Sequence, residues 1–557
     1  MRTLILCIPL FLFACKPSGG KNEKKDKSSA PQPNVLLIIA DDLGLTDLGC
    51  YGGEIKTTTI DSLAASGILF SNFHSAAMCA PARAKLFSGQ DHHLAGWGRQ
   101  RDVQGSFYEG LWGYENEWSD RVLSFPKLFQ EAGYFTSFVG KWHLGSTATG
   151  IPFAQGFDKS FALMQGAANH WNDIGLGLSA KDGEVSNYFR DDQKASWPEG
   201  QYSTTFYTDE TINYLSNNRD KSKPFFAVVS YTAPHWPLQP PIDYKDRYAG
   251  KYKEGYEHLR AQRFKASKGL GLLDDDLKLP AGLPQIKPWD SLSPEEQRIE
   301  SREMELYAAS LEQLDDQVKR LLNYLKDQDE LSNTLILFMS DNGADFLDFY
   351  NNEKYGQFLR STYSNELENM GDPTSFVAYG AAWAQASMSP YAYYKGYLSE
   401  GGIRAPLIIS GPSINAATRM TDLVDIRDVA PTLLSLTGIN YQTEFQGMKY
   451  PELTGRSLLN ALTLSENKKN NTPIYVSDFQ GKAYVRKDHF KWLNQEDPSD
   501  LSKFKLYDLR TDPGEKNDIA ANHPLLIKEL QSEWEKYRTE FKIKYPDDSS
   551  SLNPYKN

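Results

Sequence analysis

Apolar segments and segments with helical spacing alternate along most of this sequence. Uncharged, largely apolar segments at 34–40, 134–139, 224–231, 334–339 and 405–411 predict strands buried on both faces of a sheet. Apolar residues three and four positions apart predict helices over 59–70, 125–132, 208–216, 293–326 and 428–436. Strands that alternate with helices indicate an α/β fold with a mostly parallel central sheet flanked by helices.

The pattern changes beyond residue 464. Short alternating segments at 474–476, 483–485, 490–493 and 505–508 predict an antiparallel sheet, and 524–541 predicts a helix that covers it. Before that point, 244–289 lacks strand patterning and is predicted to be an excursion over one edge, and 345–390 is predicted to be a long functional loop. We therefore predict an α/β domain over 34–463 and a small antiparallel α+β subdomain over 464–557.

The first residues of the chain are typical of an export signal. An apolar run over 4–14 follows a short basic N-terminus, is too short to span a bilayer, and ends at Cys15. Its end resembles a bacterial lipoprotein signal, which implies a signal peptide over 1–14 and a lipid on Cys15; an ordinary secretory signal with a chance cysteine is the alternative. Residues 15–33 predict a flexible tether. We expect an exported bacterial lipoprotein, periplasmic or anchored in the outer membrane.

Charge and cysteine count narrow the range of partners. The 557 residues carry a formal net charge of -12 and no basic stripe, which argues against a nucleic-acid partner.

Of the four cysteines, only Cys50 and Cys79 lie beyond the signal segment and Cys15. An exported protein can join these two in a disulfide, whereas chemical use of Cys79 leaves Cys50 as a free thiol. The two possibilities exclude each other.

Residues 79–89 read Cys-Ala-Pro-Ala-Arg-Ala-Lys-Leu-Phe-Ser-Gly and carry the first candidate chemistry. Pro81 suits the first turn of a helix and Gly89 suits its end, so we expect Cys79 at a helix N-terminus, where free N–H groups favour anions. Arg83 follows on nearly the same helix face. This combination fits a sulfate or phosphate ester. The alternative is a buried structural thiol, and a phosphatase-type thiolate loop fits poorly because it needs a longer spacing between cysteine and arginine.

Polar clusters follow the predicted strands and should converge at one edge of the sheet, because ligands of open α/β sheets bind beyond the carboxyl ends of the strands. Asp41 with Asp42, and Asp341 with Asn342, supply the hard oxygen ligands that hold calcium or magnesium. An aspartate after a strand is often only a turn former, but three carboxylates gathered without a cation would repel one another. No cysteine or histidine cluster has the spacing of a zinc site.

Other residues near these strand ends and near the cysteine segment supply bases and cations. His143 and His235 are candidates for proton transfer, although a tryptophan beside each leaves a structural role open. Lys141 and Lys395 can clamp an anion together with Arg83; the alternative for the lysines is a solvated surface position. Three further histidines near the cysteine segment are assigned at most a position at the rim of the site: His74, His92 and His93.

In composition and order these segments resemble the sulfatase family. The match includes Ala-Asp-Asp-Leu-Gly at 40–44, the cysteine segment, Gly-Lys-Trp-His-Leu-Gly at 140–145, Ala-Pro-His at 233–235, Ser-Asp-Asn-Gly at 340–343, and Lys395 with Glu-Gly-Gly-Ile-Arg at 400–404. It extends over 34–518, and segments 90–96 and 289–304 are most similar to bacterial arylsulfatases. Ala80 replaces the commoner serine and Ala82 is a smaller variant, while the cysteine, proline and arginine of the signature are kept.

The resemblance implies an alkaline-phosphatase-like core and a sulfuric ester hydrolase of the arylsulfatase type. In that family a maturation enzyme converts the cysteine, here Cys79, to formylglycine, whose hydrate attacks the sulfate ester. It also implies one Ca²⁺ ion, with Mg²⁺ less favoured, whose ligands are Asp41, Asp42, Asp341, Asn342 and the converted Cys79. The implied partners are a sulfated small molecule or saccharide, the formylglycine-generating enzyme and, through the lipid on Cys15, a membrane.

The same resemblance implies a role for each remaining site residue. Arg83 and Lys141 would hold the hydrate and its developing charge. His235, with Lys395, would stabilise or protonate the leaving oxygen, and His143 would deprotonate the second hydroxyl. Two alternatives stay open: a phosphonate monoester or phosphodiester hydrolase of the same superfamily, and a non-catalytic, lipid-anchored binding protein whose cysteine remains a thiol.

Overall fold

The computed structural model describes residues 32–100, 106–176, 185–353, 356–464 and 473–546, and those from Pro33 onward belong to one compact unit. The strands in these ranges are β1 Asn34–Ala40, β2 Ile68–Phe70, β3 Phe73–His74, β4 Phe135–Lys141, β5 Lys159–Leu163, β6 Tyr188–Arg190, β7 Gln193–Ala195, β8 Phe225–Ser230, β9 Thr334–Ser340, β10 Leu407–Ser410, β11 Thr418–Met420, β12 Val424–Asp425, β13 Glu444–Phe445, β14 Met448–Lys449, β15 Tyr475–Phe479, β16 Lys482–Lys487, β17 Phe490–Asn494 and β18 Lys505–Asp508. The helices are α1 Thr58–Ser66, α2 Cys79–Ser88, α3 Phe125–Glu131, α4 Ser203–Asn217, α5 Ile242–Lys245, α6 Gly255–Gly269, α7 Pro294–Asp327, α8 Gly356–Thr362, α9 Gly380–Ser387, α10 Glu400–Ile403, α11 Val429–Thr437, α12 Leu459–Thr463 and α13 Pro524–Glu540.

A central sheet of ten described strands runs in the order β11-β2-β10-β9-β1-β8-β4-β5-β6-β7. Its middle strands, β9 to β5 in that order, are parallel, whereas β10 runs antiparallel to β9, and β6 and β7 extend the other end with antiparallel pairing. Every residue of β1, β4, β8 and β9 is buried, as the uncharged sequence segments predict. The predicted mostly parallel α/β fold is confirmed.

The two faces of the sheet have separate hydrophobic cores, because successive side chains of a strand point to opposite faces. Leu36 and Ile38 of β1 belong to one core, which includes apolar residues of α1, α4 and α7. Val35 and Leu37 belong to the other, which includes apolar residues of α2, α3 and α11. The helices therefore cover both faces, and the polar residues that follow the strands lie at the carboxyl edge between the two layers.

Strand register aligns these carboxyl ends. Ala40 of β1 pairs with Ser340 of β9, and Ser230 of β8 pairs with both Ile39 of β1 and Gly140 of β4. The residues that come next in each chain segment are therefore neighbours at one edge of the sheet. This is the physical reason why residues separated by up to 300 positions meet, as described below.

Local sequence signals place the helix that begins with the cysteine. The helix α2 starts at Cys79 and ends before Gly89, which adopts a left-handed conformation with φ 64° and donates its N–H to the Lys85 carbonyl oxygen. Glycine is favoured there because it has no Cβ to oppose a positive φ. The long helix α7 starts with a capping box between Ser293 and Glu296, as its sequence predicts.

The C-terminal strands form the predicted antiparallel sheet in the order β15-β16-β17-β18. Val485 and Trp492 of this sheet share a hydrophobic core with Leu530 and Trp534 of α13, so the predicted closing helix is confirmed. The boundary placed between 463 and 464 stays a prediction. Residues 1–14 and most of the tether over 15–33 lie outside the described residues. None of the helices in the described part of the chain combines the length and the apolar character that a membrane span needs.

One prediction about local structure was wrong, and two segments that were predicted without regular structure contain helices. The helix expected over 59–70 ends at Ser66, and β2 follows it because its backbone pairs with β10 and β11, strands far along the chain. The excursion over 244–289 contains the helix α6 of 15 residues, seven of which are buried. The loop over 345–390 contains the short helices α8 and α9. In each case tertiary contacts decided a segment whose own pattern was weak.

Candidate active site

The carboxyl ends of β1 and β9 bring the predicted metal ligands together. The backbone N–H of Asp42 lies 3.3 Å from Oδ1 of Asp341, and Nδ2 of Asn342 donates to Oδ1 of Asp42. Asp42 has a φ of 61°, a left-handed conformation that aspartate tolerates better than most residues. Asp41 and Asp341 are both fully buried. The structure therefore gathers all four predicted oxygen ligands.

Cys79 lies at the same place, at the first position of α2, with only 1% of its surface exposed. Its Sγ is 4.0 Å from Oδ1 of Asp42, and ligand atoms of Asp41, Cys79 and Asp341 all lie within 4.8 Å of one another. Burial raises the pKa of the Cys79 thiol to about 12, although the positive charge of Lys141 opposes this shift. A thiol with this pKa is un-ionised at neutral pH and is a poor nucleophile, so the unmodified sulfur is unsuited to thiolate catalysis.

Arg83 and Lys141 enclose the carboxylates from one side. Arg83 donates from Nε to Oδ2 of Asp341 at 2.9 Å and from Nη1 to the hydroxyl of Ser230 at 2.6 Å. Lys141 donates to both carboxylate oxygens of Asp41 at 2.7 Å. Both cations are fully buried. The surface position considered for Lys141 is therefore wrong, and these two side chains form a fixed cationic wall beside Cys79.

Lys395 and His235 lie on the other side, with a carboxylate that sequence analysis missed. Lys395 donates to Oδ2 of Asp42 at 2.6 Å and to Oδ2 of Asp345 at 3.0 Å, and it is 2% exposed, so its predicted alternative as a surface lysine is also wrong. Asp345 also accepts from Nε1 of Trp236 at 2.7 Å. Asp345 follows Asn342 by three residues, and only this proximity to a predicted cluster could have indicated it.

The two histidines of the site have different surroundings. Nε2 of His235 lies 3.1 Å from Oδ2 of Asp42, and its Nδ1 donates to the Trp236 carbonyl oxygen at 2.7 Å. His143 has a φ of 60° and a buried Nδ1 with no hydrogen-bond partner in the described ranges. A Cβ on Gly166 would come within 2.6 Å of the His143 ring, so only glycine fits beside it.

Electrostatic surroundings keep His143 neutral. Burial lowers its pKa well below the usual value, and the charges of Lys141 and Arg83 lower it further. A neutral imidazole with an unpartnered ring nitrogen is able to accept a proton. No equivalent free ring nitrogen exists on His235, since each of its nitrogens faces an oxygen atom.

The donor set fits the divalent cation that the sequence predicts. Oδ1 of Asn342 is buried and has no partner among the described residues, although a buried amide oxygen is normally satisfied. Burial raises the pKa of Asp41 well above its usual value, and Asp341 and Asp42 add to this effect, while Lys141 opposes it. Oxygen donors of this kind suit Ca²⁺ or Mg²⁺ rather than a softer metal. A cation bound here would satisfy the amide and relieve the repulsion between carboxylates.

A charge count supports the same conclusion. The buried carboxylates of the site outnumber its buried cations by one: Asp41, Asp42, Asp341 and Asp345 against Arg83, Lys141 and Lys395. Adding a divalent cation changes this deficit into an excess of one positive charge. A site with that excess attracts a monoanionic ester and lowers the free energy of negative charge that develops during its hydrolysis.

The three remaining histidines are buried in other contacts, and the two cysteines do not form a disulfide. The proposed rim position of three histidines is wrong, because all are buried: His74 contacts Glu400, His92 contacts the Trp97 carbonyl, and His93 lies between Asp91 and Asp478. Cys50 and Cys79 are both free, so the alternative disulfide does not form. Cys79 therefore remains available for modification.

Comparison with known proteins decides the family. The family model described as Sulfatase matches residues 33–439, which is more than half of the chain. The chain belongs to the sulfatase family. A second model, N-sulphoglucosamine sulphohydrolase, C-terminal, matches residues 391–540 of this sulfatase and so includes the antiparallel sheet.

Individual relatives agree with this assignment. An uncharacterized sulfatase of Schizosaccharomyces pombe is 36% identical over 95% of this chain and 97% of its own. An arylsulfatase of Klebsiella aerogenes is 36% identical over 73% of this chain and 87% of its own. A solved structure of a protein in complex with its substrate, D-glucosamine-2-N,6-O-disulfate, shares the fold, with a TM-score of 0.59, 23% identity, and coverage of 93% of this chain and 99% of that one.

The protein is thus a sulfuric ester hydrolase with arylsulfatase relatives. These findings do not favour the phosphonate or phosphodiester hydrolase, nor the non-catalytic binding protein. They give the class of reaction.

Proposed function

We propose that this sulfatase hydrolyses sulfate monoesters with a formylglycine made from Cys79 and with a Ca²⁺ ion whose ligands are Asp41, Asp42, Asp341 and Asn342. The observation that carries the proposal is the position of Cys79, whose sulfur lies among ligand atoms of Asp41 and Asp341 at the start of a helix. The raised thiol pKa adds to it, because the cysteine requires conversion before it can supply a nucleophile.

The bound groups and the protein divide the chemistry between them. When present, formylglycine supplies the nucleophilic hydroxyl and a divalent cation supplies Lewis-acid activation and charge compensation. Arg83 and Lys141, held by Asp341 and Asp41, face the sulfate group and stabilise the charge that develops on it. Because these cations are already fixed by buried carboxylates, little reorganisation is needed at the moment of reaction.

Lys395, His235 and His143 are the residues to which we assign the proton transfers. Lys395 and His235 surround Oδ2 of Asp42, and we assign to them the stabilisation or protonation of the leaving oxygen. Burial and the charge of Lys395 lower the pKa of His235 well below its usual value, so the proton is held at Nζ of Lys395. His143 accepts, at its unpartnered Nδ1, the proton of the second hydroxyl at the converted residue 79, and it releases this proton to solvent before the next turnover. The neutral form of His143 is the one that its surroundings favour, as this role requires.

For the substrate we propose a sulfated saccharide or aryl sulfate. The arylsulfatase relative supports turnover of aryl esters, and the structural neighbour with a disulfated glucosamine supports a sugar as the natural alcohol. Arg83 and Lys141 recognise the sulfate group itself, so they do not discriminate between a sugar and a phenol as the alcohol of the ester.

Mass spectrometry of the peptide that contains Cys79, on protein made with the maturation enzyme, tests the nucleophile. We expect the mass of an aldehyde in place of the thiol; an unmodified cysteine in fully active protein contradicts the proposal. Parallel assays should show faster hydrolysis of 4-nitrophenyl sulfate than of the matching phosphate esters. Dialysis against a chelator should abolish this hydrolysis, and Ca²⁺ should restore it better than Mg²⁺.

We also propose that the protein is an exported lipoprotein anchored through Cys15, on the basis of the apolar run that ends there. Metabolic labelling with a fatty acid should mark the wild-type protein and leave Cys15→Ser unlabelled. Recovery of both forms in the soluble periplasmic fraction contradicts the anchor.

A further inference from the structure

The hairpin that joins β15 to β16 carries a buried lysine with no acidic partner. Lys482 is only 3% exposed, and no described carboxylate forms an ion pair with it. Its Nζ instead lies 5.5 Å from the centre of the Tyr397 ring. Burial lowers its pKa to about 8. A buried, unpaired ammonium is costly to the folded state, so its presence calls for another explanation than stability.

A second side chain at the same hairpin is also unsatisfied. Gln480 is 6% exposed, yet both its Nε2 and its Oε1 are buried without a hydrogen-bond partner in the described part of the chain. Buried amides nearly always have partners. One hairpin thus carries an amide without a hydrogen-bond partner and a lysine without an acidic partner, which indicates that the hairpin binds a molecule other than the protein itself.

The hairpin packs against both segments that flank the active site. Phe479 shares a hydrophobic cluster with Met78, the residue before Cys79. Tyr397, which faces Lys482, stacks on Tyr393 with ring centres 4.3 Å apart, and these two tyrosines bracket Lys395 in sequence. Gly396 donates its N–H to the carbonyl oxygen of Ala77 at 2.8 Å, which joins the two segments directly.

We infer that Lys482 and Gln480 form a substrate subsite for a second anionic group, so that the preferred ester is a saccharide that carries another sulfate or a carboxylate beside the sulfate that is cleaved. This inference rests on the proposed function, since it concerns the same site. Lys482 supplies the charge that pairs with the second anion, and Gln480 supplies a donor and an acceptor for a sugar hydroxyl. Tyr397 offers an apolar face beside them.

Calorimetric binding to the full chain with Cys79→Ala separates this inference from turnover. The probes are D-glucosamine-2-N,6-O-disulfate and N-acetylglucosamine 6-O-sulfate, which has one anionic group fewer. We expect the disulfate to bind about tenfold tighter or better, because a buried charge-assisted contact has that value. Adding Lys482→Met should reduce the preference to less than about twofold. Adding Lys505→Met, at an exposed lysine of strand β18 on the opposite edge of the same sheet, should leave the preference intact.

Equal binding of the two sugars, no binding of either, or a preference that survives Lys482→Met overturns the inference. The melting temperature of Lys482→Met is a second readout: it should not fall, and a marked fall would show that the lysine has a structural role instead. Hydrolysis of 4-nitrophenyl sulfate by the converted wild-type protein tests the proposed function separately. Hydrolysis without any preference for the dianion overturns only the subsite, and a preference without hydrolysis overturns only the proposed function.

Discussion

Glu400 offers the sharpest test of how the C-terminal sheet supports the active site. Its carboxylate is fully buried and accepts from Nε2 of His74 at 2.9 Å, Nη2 of Arg404 at 2.8 Å, Nη1 of Arg486 at 2.9 Å and Nζ of Lys491 at 2.9 Å. The last two belong to β16 and β17. This single carboxylate therefore connects the C-terminal sheet to the segment that begins five residues earlier with the site lysine.

Glu400→Gln keeps the shape of the side chain and removes its charge, which leaves Arg404 and Arg486 buried without their counter-ion and leaves Lys491 with Glu515 as its remaining acidic partner. Removing one partner of a buried ion pair costs about 3–5 kcal/mol. A unit of about 500 residues that unfolds cooperatively has an unfolding entropy of about 1 kcal/mol/K, so the melting temperature should fall by about 3–5 °C. The matched control is Glu529→Gln, whose side chain is 43% exposed where it pairs with Lys487, and whose loss should cost about 0–1 kcal/mol.

The pH dependence gives a second measurement. Burial alone would raise the pKa of Glu400, but Arg486 and Lys491 outweigh it and hold this pKa well below its usual value. A carboxylate with a depressed pKa stabilises the folded state fully above its unfolded pKa, and this stabilisation is lost as the pH falls toward the folded pKa. The difference between wild type and Glu400→Gln should therefore be full at neutral pH and shrink in acid, measured by calorimetric melting. A fall no larger than that of the control, or one independent of pH, would refute the reasoning.

Three further predictions use other parts of the molecule. His143→Ala should lower kcat for 4-nitrophenyl sulfate by about 10²–10⁴-fold with little change in melting temperature, and activity within tenfold of wild type would exclude His143 as the base. Gly343→Ala should reduce both stability and activity, because its Cβ would lie 2.2 Å from the Gly401 carbonyl oxygen, whereas Gly269→Ala meets no atom and should be neutral or stabilising in thermal melts. Lys482→Met should raise stability at pH 7 by up to about 3 kcal/mol, since the lysine pKa is about 8 when folded and about 10.5 when unfolded; the gain should disappear as the pH rises from about 8 to above 10.5 in urea titrations, and a gain that persists there contradicts the burial argument.

Sequence patterns predicted most of the fold because the decisive signals are local. The segment of β1 is apolar throughout, which specifies a strand buried on both faces whatever its neighbours. The capping box at Ser293 and the glycine at position 89 likewise define helix ends through contacts within a few residues. By contrast, Ile68–Phe70 continues a helical pattern, and it becomes β2 only through pairing with strands more than 300 residues away.

The residues of the candidate site also differ in whether local sequence signals predict them. The sequence alone shows that Asp41 and Asp341 are carboxylates that follow predicted strands. Because ligands bind beyond the carboxyl ends of parallel strands, it also predicts that these two residues meet. Asp345 gave no such signal, because it lies in an irregular segment without periodicity, and its partnership with Lys395 depends on how that segment folds back.

By itself, then, the sequence determined the alternation of strands and helices, the direction of the sheet and the residues at its carboxyl edge, since these follow from local polarity and chain direction. Only the tertiary structure decided which charges are paired at that edge, that Glu400 connects the C-terminal sheet to the segment of Lys395, and that Lys482 is buried without a counter-ion. The physical reason is that burial and ion pairing depend on residues distant in the chain, and a charged side chain looks the same in sequence whether it is solvated, neutralised or left for a ligand.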